Sequence, residues 1–287
     1  MNILVTGSNG QLGCELRELA KSYGQFVFVF TDKPELDITS EQALKKFFKQ
    51  NKIDCVINCA GFTAVDGAED DIAGAKELNT RGAGLLASAC TEAGALIIHI
   101  STDYVFDGQV GCRPYRESDV ARPRSVYGKS KLEGELEMLF NAQRSLIIRT
   151  SWLYSSFGHN FVKTILNKAK TEQELRVVYD QIGAPTYAAD LAKTILDMLP
   201  DIPPKIRGKI YNYSNEGVCS WYDFAHAIIE MEGLQCHLKP VLTAEFKQRA
   251  QRPHYSVLDK TAIKTDYLID IPHWRDGLRR CLEAMRG

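Results

Sequence analysis

The sequence lacks several features that mark specialised classes of protein. No apolar run approaches the ~18 residues that a membrane helix needs, and neither a repeat nor a low-complexity tract is present. Neither sign of charge is in excess, because 35 Lys and Arg residues face 36 Asp and Glu residues, which leaves a formal net charge of -1. Nucleic-acid binders usually carry a basic face or a high pI. We therefore expect neither a membrane nor a nucleic acid as partner.

No two cysteines form a CxxC pair, which excludes zinc-ribbon and thioredoxin-type motifs. The eight cysteines are scattered at positions 14, 55, 59, 90, 112, 219, 236 and 281. Several stand in apolar runs, where a reduced cysteine acts as a small hydrophobic residue. The N-terminus also lacks the basic region that begins a signal peptide. We therefore expect free thiols and a reducing, cytoplasmic compartment.

What is present is an alternation of two hydrophobic periods through the first half of the chain. The predicted strands are the apolar runs 3–5, 26–30, 55–57, 96–100 and 146–148. The predicted helices between them cover 11–23, 39–48, 68–93 and 126–141, the second beginning with a Thr39-x-x-Gln42 capping box. Strands that are apolar on both faces and separated by helices are typical of a parallel sheet covered on both sides. The pattern predicts a doubly wound α/β fold of the Rossmann type.

The alternation loosens after about residue 150. Further strands are predicted at 175–178 and 210–213, and further helices at 188–199, 220–232 and 274–285. We expect residues 1–150 to form a dinucleotide-binding domain. Residues 151–287 are expected to form a smaller α/β substrate-binding part, some of whose segments return to the first domain.

A glycine-rich turn stands between the first predicted strand and the first predicted helix. Gly7, Gly10 and Gly13 are spaced by three, which suits a tight turn, close approach of backbone to a pyrophosphate, and close packing of helix on strand. The helix N-terminus offers free N–H groups to phosphate. Asp32 ends the second strand, where a carboxylate can bind the hydroxyls of an adenosine ribose. The GxxGxxG spacing resembles that of the short-chain dehydrogenase/reductase superfamily.

A Tyr–Lys pair indicates proton chemistry. Tyr127 and Lys131 are separated by four residues and share one face of a helix. A nearby cation favours the phenolate, so we expect Lys131 to lower the pKa of Tyr127. Thr102 follows the fourth strand, at the edge where doubly wound sheets bind ligands. Its hydroxyl is placed to bond a substrate carbonyl.

Longer motifs narrow the resemblance, and they extend over nearly the whole chain. They are STDYVFDG at 101–108, PYRE at 114–117, VYGKSK at 126–131 with Glu135, and the segments 63–69, 149–154, 180–186 and 252–259. With these motifs the sequence resembles the dTDP-4-dehydrorhamnose reductase family.

The resemblance implies an activity and a set of site residues. The activity is NADH- or NADPH-dependent reduction of the 4-keto group of dTDP-4-dehydro-6-deoxy-L-mannose to dTDP-L-rhamnose. Thr102, Tyr127 and Lys131 are the implied catalytic residues. The implied cofactor residues are Gly7, Asn9, Gly10, Gln11, Leu12, Gly13, Asp32, Asp37, Ile38, Ala60, Gly61, Phe62, Thr63, Tyr127 and Lys131. The implied substrate residues are Thr102, Asp103, Trp152 and Arg252.

Simpler roles stay open for three of these residues. Trp152 could be an ordinary aromatic of the core or rim, Arg252 a member of a surface ion pair, and Asp37 a helix cap. Two other activities also stay open. One is reduction of a related dTDP-4-keto-6-deoxy sugar, and the other is a non-catalytic subunit like the regulatory β subunit of methionine adenosyltransferase.

The sequence departs from the family pattern at a few positions. Gly67 stands where many relatives carry lysine, and Phe62 where many carry tyrosine or histidine. Some relatives hold magnesium at a dimer contact of glutamates. Here Glu15 matches one such position, but Asp190 and Ala284 stand at the others. We therefore predict no metal, and a monomer or a homodimer.

Overall fold

The computed structural model describes residues 1–111 and 113–286, so Cys112 lies outside the described residues. The strands are β1 (Asn2–Thr6), β2 (Val27–Thr31), β3 (Cys55–Asn58), β4 (Leu96–Thr102), β5 (Ser145–Thr150), β6 (Leu153–Tyr154), β7 (Glu174–Val178), β8 (Ile182–Gly183), β9 (Thr186–Tyr187), β10 (Lys209–Tyr213), β11 (Cys219–Ser220) and β12 (His237–Val241). The α-helices are α1 (Gln11–Ala20), α2 (Glu41–Gln50), α3 (Val65–Asp70), α4 (Ile72–Lys76), α5 (Ala83–Ala93), α6 (Val126–Asn141), α7 (Phe161–Ala169), α8 (Ala188–Met198), α9 (Trp221–Glu232), α10 (Thr261–Tyr267) and α11 (Trp274–Arg286). A π-helical segment, Glu77–Gly82, joins α4 to α5.

Six parallel strands form the central sheet, in the order β10-β5-β4-β3-β1-β2. Leu4 of β1 pairs with Val29 of β2 on one side and with Val56 of β3 on the other. The chain direction across the sheet therefore reverses at β1, and ligands of doubly wound sheets bind at such a switch point. The predicted fold class is confirmed. The sixth strand, β10, comes from the second half of the chain.

Both faces of the sheet are covered, because successive side chains along each strand point to opposite sides. Ile3 and Val5 pack with α1 and α8 on one face, in a cluster that includes Leu16 and Leu191. Leu4 lies on the other face with residues of α2, α5 and α6. Burial on both faces accounts for the continuous apolar runs of these strands.

Two local predictions were wrong. The helix predicted over 68–93 is divided into α3, α4, the π-helical segment and α5. The first break is at Asp71, whose side chain caps α4 by accepting from the Gly74 amide at 2.8 Å. The second helix is capped by Ser40, whose hydroxyl accepts from the Ala43 amide, and not by Thr39. The Thr39 hydroxyl instead donates to Asp37 Oδ1 at 2.7 Å. In both places side-chain bonding to nearby backbone overrides helical periodicity.

The second half also builds a separate hydrophobic cluster from α7, α9, α11, β7 and β12. Its largest fully buried members are Tyr154 and Phe224. The division of the chain into domains at residue 150 stays a prediction. The cysteines within the described residues are all free thiols. None of the helices described is both long and apolar enough to cross a bilayer.

Candidate active site

A cavity of about 1670 Å³ opens at the carboxyl edge of the sheet. That volume exceeds the ~300–1,000 Å³ of ordinary small-molecule pockets, so it has room for a dinucleotide and a second ligand together. Every predicted site residue except Asn9 lines it. The parallel sheet explains the convergence, because the loops that follow its strands meet at one edge.

The three glycines of the turn have three different environments. Gly7 adopts a left-handed conformation (φ +64°), and a Cβ there would lie 2.6 Å from the Ala60 backbone nitrogen. A Cβ on Gly13 would lie 2.5 Å from the Ser8 Cα, so α1 packs directly on the turn. Gly10 is exposed, and a Cβ there would meet only the Gly7 carbonyl oxygen, at 3.2 Å. The open position at Gly10 leaves the N-terminus of α1 accessible from the cavity.

Asp32 closes the turn from the end of β2. Its Oδ2 accepts from the Asn9 amide at 3.0 Å, and its Oδ1 from the Lys33 amide at 2.8 Å. Asn9 does not line the cavity. Its amide instead helps to hold the Asp32 carboxylate in place. The Arg17 guanidinium donates to Ser8 Oγ at 2.9 Å, so a cationic side chain also contacts the turn.

Asp37 and Ile38 form the neighbouring wall. The Asp37 carboxylate accepts from both the amide and the hydroxyl of Thr39, and these bonds lower the pKa of that carboxyl. Ile38 is buried beside Gly82, whose added Cβ would lie 3.2 Å from the isoleucine side chain. Asp37 is not the helix cap that its simpler role would make it, because Ser40 caps α2 and the Asp37 bonds go to Thr39 before the helix begins. Asp37 also lines the cavity.

Asn79 holds the loop that contains Ala60, Gly61, Phe62 and Thr63. Its Oδ1 accepts from the Phe62 amide at 2.8 Å, while its Nδ2 donates to the Phe62 carbonyl and to Ser130 Oγ. Asn79 belongs to the π-helical segment, and such segments are frequent at functional sites. The same side chain thus ties this loop to α6, which carries Tyr127 and Lys131.

Tyr127 and Thr102 meet at the inner end of the cavity. Gly128 allows this approach, because a Cβ there would lie 2.3 Å from the Tyr104 carbonyl oxygen. The Tyr127 phenol lies beside the Thr102 hydroxyl, which acts to lower the pKa of the phenol. Its ring packs edge-on against Tyr104, with centroids 5.6 Å apart. A phenol and a hydroxyl beside the cavity are groups that can bind and protonate a carbonyl oxygen.

The predicted effect of Lys131 on Tyr127 is wrong for this structure. Burial raises the pKa of Tyr127 to about 12, and the neighbouring Thr102 hydroxyl only partly opposes that rise. The Lys131 Nζ donates instead to the Ile100 carbonyl at 2.7 Å and lies 3.4 Å from His99 Nε2. Burial lowers the pKa of Lys131 to about 8. Tyr127 therefore carries its proton at neutral pH.

Asp103 is buried more deeply than its predicted contact with a sugar suggests. It is 1% exposed, and its Oδ1 accepts from the Thr102 hydroxyl at 3.1 Å. Its Oδ2 is buried without a hydrogen-bond partner. Burial raises the pKa of the Asp103 carboxyl to about 7, although hydrogen bonds from Ser256 and Thr102 oppose the rise.

Trp152 lies on the opposite wall in a strained conformation. Its φ is +46°, which is an outlier for a bulky side chain and costs of order 1–3 kcal/mol. Its ring stacks on Trp221 with centroids 3.6 Å apart. Gly183 makes room for it, because a Cβ there would lie 2.7 Å from Trp152 Cε2. Strain held in this way is found mainly at functional sites.

Arg252 stands at the rim of the cavity in an ion pair. Its two terminal nitrogens contact the Asp66 carboxylate at 2.6 and 3.1 Å. Gln248 accepts a further bond from it at 2.9 Å. The ion-pair role is therefore present in this structure, and contact with a substrate phosphate stays a prediction.

Three residues of the site were not predicted from the sequence. They are Asn79, His99 and Trp221. A lone histidine in the apolar run of β4 was a usable signal for His99, which is fully buried and 3.0 Å from Asn58 Nδ2. No local pattern marks Asn79 or Trp221, because their roles depend on partners far away in the chain.

The residues considered for magnesium have other partners. Arg280 contacts both Asp190 oxygens, at 2.6 and 2.8 Å, and Ser155 donates to Glu15 at 2.6 Å. Within the described residues, no cluster of His, Cys, Asp or Glu side chains could hold a metal ion.

The glycine turn, the acid after the second strand and the Thr–Tyr–Lys set define the class. The protein is a nicotinamide-dependent oxidoreductase of the extended short-chain dehydrogenase/reductase type. The family described as "RmlD substrate binding domain" matches residues 1–286, and the chain belongs to that family.

Similar proteins agree with this assignment. The chain is 44% identical over 281 residues to the spore coat polysaccharide biosynthesis protein SpsK of Bacillus subtilis, covering 98% of this chain and 96% of that protein. A dTDP-4-dehydrorhamnose reductase from Clostridium acetobutylicum superposes with a TM-score of 0.94 at 40% identity, covering 100% of both chains. A dTDP-4-dehydrorhamnose reductase from Bacillus anthracis, solved with NADP, gives a TM-score of 0.93 at 36% identity, covering 99% of each chain.

Proposed function

We propose that this protein reduces the 4-keto group of dTDP-4-dehydro-6-deoxy-L-mannose to give dTDP-L-rhamnose, with NADH or NADPH as reductant. The observation that carries the proposal is that Thr102 and Tyr127 lie side by side in the cavity that also contains the glycine turn. The reductases that resemble this chain over their whole length support the choice of substrate.

The residues of the turn fit a dinucleotide. The open position at Gly10 and the free N–H groups of α1 suit a pyrophosphate, and Asp32 suits a ribose hydroxyl. Asp37, Ile38 and the loop 60–63 would line the remainder of the cofactor. When bound, the reduced nicotinamide supplies a hydride.

The side chains around C4 of the sugar supply a proton and orientation. Thr102 positions the carbonyl through a hydrogen bond, and Tyr127 gives its phenolic proton to the developing alkoxide. The raised pKa of Tyr127, about 12, keeps that proton in place until negative charge forms on the oxygen. Proton transfer from a placed group contributes roughly 10²–10⁴-fold to the rate.

Lys131 would hold the nicotinamide ribose. Its ammonium has three N–H donors, and the Ile100 carbonyl takes one of them. A pKa of about 8 leaves Lys131 mostly charged at neutral pH. We assign it to cofactor positioning, because its contacts lie on the β4 backbone and not on the phenol.

NADH is proposed to be used efficiently and NADPH to be tolerated. The Asp32 carboxylate lines the cavity, where it would accept from a 2′-hydroxyl and repel a 2′-phosphate. Lys33 and Arg17 offset part of this repulsion, since both are exposed cations close to the turn. The NADP complex of the Bacillus anthracis relative supports tolerance of the phosphate.

The opposite wall is assigned to the nucleotide sugar. Trp152, stacked on Trp221, offers a rigid aromatic surface, and Asp103 lies behind Thr102. Arg252 is proposed to contact the diphosphate, because its guanidinium suits bidentate phosphate binding. With the diphosphate bound, the same guanidinium would contact both the diphosphate and the Asp66 carboxylate.

The test combines the purified protein with dTDP-4-keto-6-deoxyglucose, the C3/C5 epimerase that supplies the L-configured substrate, and either cofactor. Loss of nicotinamide absorbance together with dTDP-L-rhamnose as product supports the proposal. A product with another configuration at C4 assigns a related reductase activity instead. Absence of turnover while both ligands bind indicates the non-catalytic alternative.

Two further properties belong to the same proposal. Free thiols that are mostly buried suit the reducing environment of the cytoplasm. The oligomeric state is proposed to be a monomer or a homodimer, which light scattering of the purified protein would decide.

A further inference from the structure

The Thr102 hydroxyl is the junction of two hydrogen bonds. It donates to Asp103 Oδ1 at 3.1 Å and accepts from the Tyr104 amide at 3.2 Å. The Tyr127 phenol lies beside it. A threonine hydroxyl has one proton and two lone pairs. Because that proton goes to Asp103, Thr102 has none left to donate to the phenol or to a substrate.

This arrangement is unproductive for reduction of a carbonyl. The Thr102 proton points at Asp103, so it does not face the cavity. A substrate oxygen needs hydrogen-bond donors where its negative charge develops. Reversing the bond between Thr102 and Asp103 releases the Thr102 proton toward the cavity.

Only a neutral Asp103 can reverse that bond, because an ionised carboxylate accepts and never donates. A proton on Oδ1 has the Thr102 oxygen as its acceptor at 3.1 Å, whereas Oδ2 is buried without a hydrogen-bond partner within the described residues. Ser256, Tyr104 and Tyr127 are the other groups facing this carboxyl. Burial among these neutral groups raises the pKa of Asp103 to about 7.

The charged side chains nearest to Asp103 contact its neighbours and not the Asp103 carboxyl itself. Arg252 reaches Tyr104 but is paired with Asp66. Lys131, on α6, donates to the Ile100 carbonyl. Neither is a direct partner of the carboxyl in this structure, so neither holds it ionised.

We propose that neutral Asp103 is the productive form, in which its O–H donates to Thr102 and thereby turns the Thr102 proton toward the C4 oxygen. The inference rests on the reductase activity proposed above. Asp103 acts through Thr102, so it is a positioning residue. Its protonation state sets the direction of the hydrogen bonds.

The first test needs neither substrate nor cofactor. Carbon-13 NMR of protein labelled at the aspartate carboxyl carbons follows each carboxyl in the free protein, and Asp103→Asn assigns the resonance. We expect a midpoint near pH 7, as the buried environment requires. A resonance that is already ionised at about pH 5, near the ordinary value for aspartate, would overturn the proposal.

The second test is kinetic and compares Asp103→Asn with the wild type. The asparagine amide donates to Thr102 at every pH, so the ratio of variant to wild-type kcat/KM should rise about tenfold per pH unit above about pH 7. Lys131 titrates in both proteins, so its effect on kcat/KM cancels in this ratio. A ratio that stays constant across this range indicates a merely structural role and overturns the proposal.

The matched control is Asp107→Asn, in the same loop. Asp107 accepts from the Tyr115 hydroxyl at 3.0 Å and does not line the cavity. Its ratio to wild type should not change with pH, and an equal rise there would also overturn the proposal. Failure of the reductase proposal itself is distinguishable, because the wild type would then show no turnover while the NMR midpoint stayed near pH 7.

Discussion

Replacing Tyr127 with phenylalanine separates the proton donor from the packing around it. The phenyl ring keeps the edge-on contact with Tyr104, whose centroid lies 5.6 Å away, and only the hydroxyl beside Thr102 is lost. Loss of this buried hydroxyl should cost no more than about 1.5 kcal/mol of folding stability. Loss of general-acid catalysis should lower kcat by roughly 10²–10⁴-fold, which is about 3–5 kcal/mol of transition-state stabilisation.

The assay follows the nicotinamide absorbance at saturating substrate, with cofactor affinity measured by fluorescence and folding by thermal denaturation. Tyr115→Phe is the matched control, because Tyr115 is buried, bonds Asp107 through its hydroxyl and does not line the cavity. It should lose a similar amount of stability and keep its activity. A folded Tyr127→Phe variant that retains more than about a tenth of the wild-type rate refutes the assignment of Tyr127 as proton donor.

Four further substitutions test other parts of the site and fold. Gly10→Val should abolish cofactor binding in a folded protein, because a side chain there blocks approach to the helix N-terminus; normal cofactor affinity would remove Gly10 from the site. Asp32→Ala should raise the ratio of kcat/KM for NADPH to that for NADH about tenfold. The repulsion it removes, between the Asp32 carboxylate and the 2′-phosphate, is worth ~2 kcal/mol before screening, at ~6–8 Å and an effective dielectric constant of ~20. A wild type that already prefers NADPH by more than about tenfold contradicts this assignment. Trp221→Ala should raise the KM for the nucleotide sugar about 2–10-fold, as loss of an aromatic stack worth ~0.5–1.5 kcal/mol implies, and the KM for the cofactor should serve as the unaffected control. Arg149→Met should lower the free energy of unfolding by about 3–5 kcal/mol, because it leaves the buried Glu135 carboxylate without its partner. Arg113→Met, which breaks the more exposed pair with Asp119, should cost less than about 1 kcal/mol in the same denaturation experiment.

Some residues of the sequence motifs stabilise the fold and take no part in the chemistry. Glu135 and Arg149 are both part of the sequence motifs, yet they form an ion pair whose side chains are 2% and 4% exposed. Arg149 contacts both Glu135 oxygens, at 2.7 and 2.9 Å, and Ser101 donates to the same carboxylate. This pair joins α6 to β4 and β5. It therefore holds the helix of Tyr127 against the strand of Thr102.

Sequence pattern alone predicts the alternation of strands and helices along the chain and the location of the site. Runs such as Ile3-Leu4-Val5 indicate strands buried on both faces, and right-handed crossovers leave few ways to arrange them. Once the sheet is parallel, residues after its strands must meet at one edge. Gly10, Asp32 and Thr102 could therefore be assigned to one cavity without coordinates.

Side-chain partners follow only from the folded chain, because these contacts join residues far apart in the sequence. Asn79 reaches Phe62 and Ser130, Trp152 stacks on Trp221, and no local period encodes either contact. The protonation states depend on burial in the same way. Tyr127 and Lys131 are adjacent on their helix, yet their surroundings raise the pKa of one to about 12 and lower the pKa of the other to about 8. Spacing along a helix brings two groups near each other, but the solvent and the partners left to each group decide its charge.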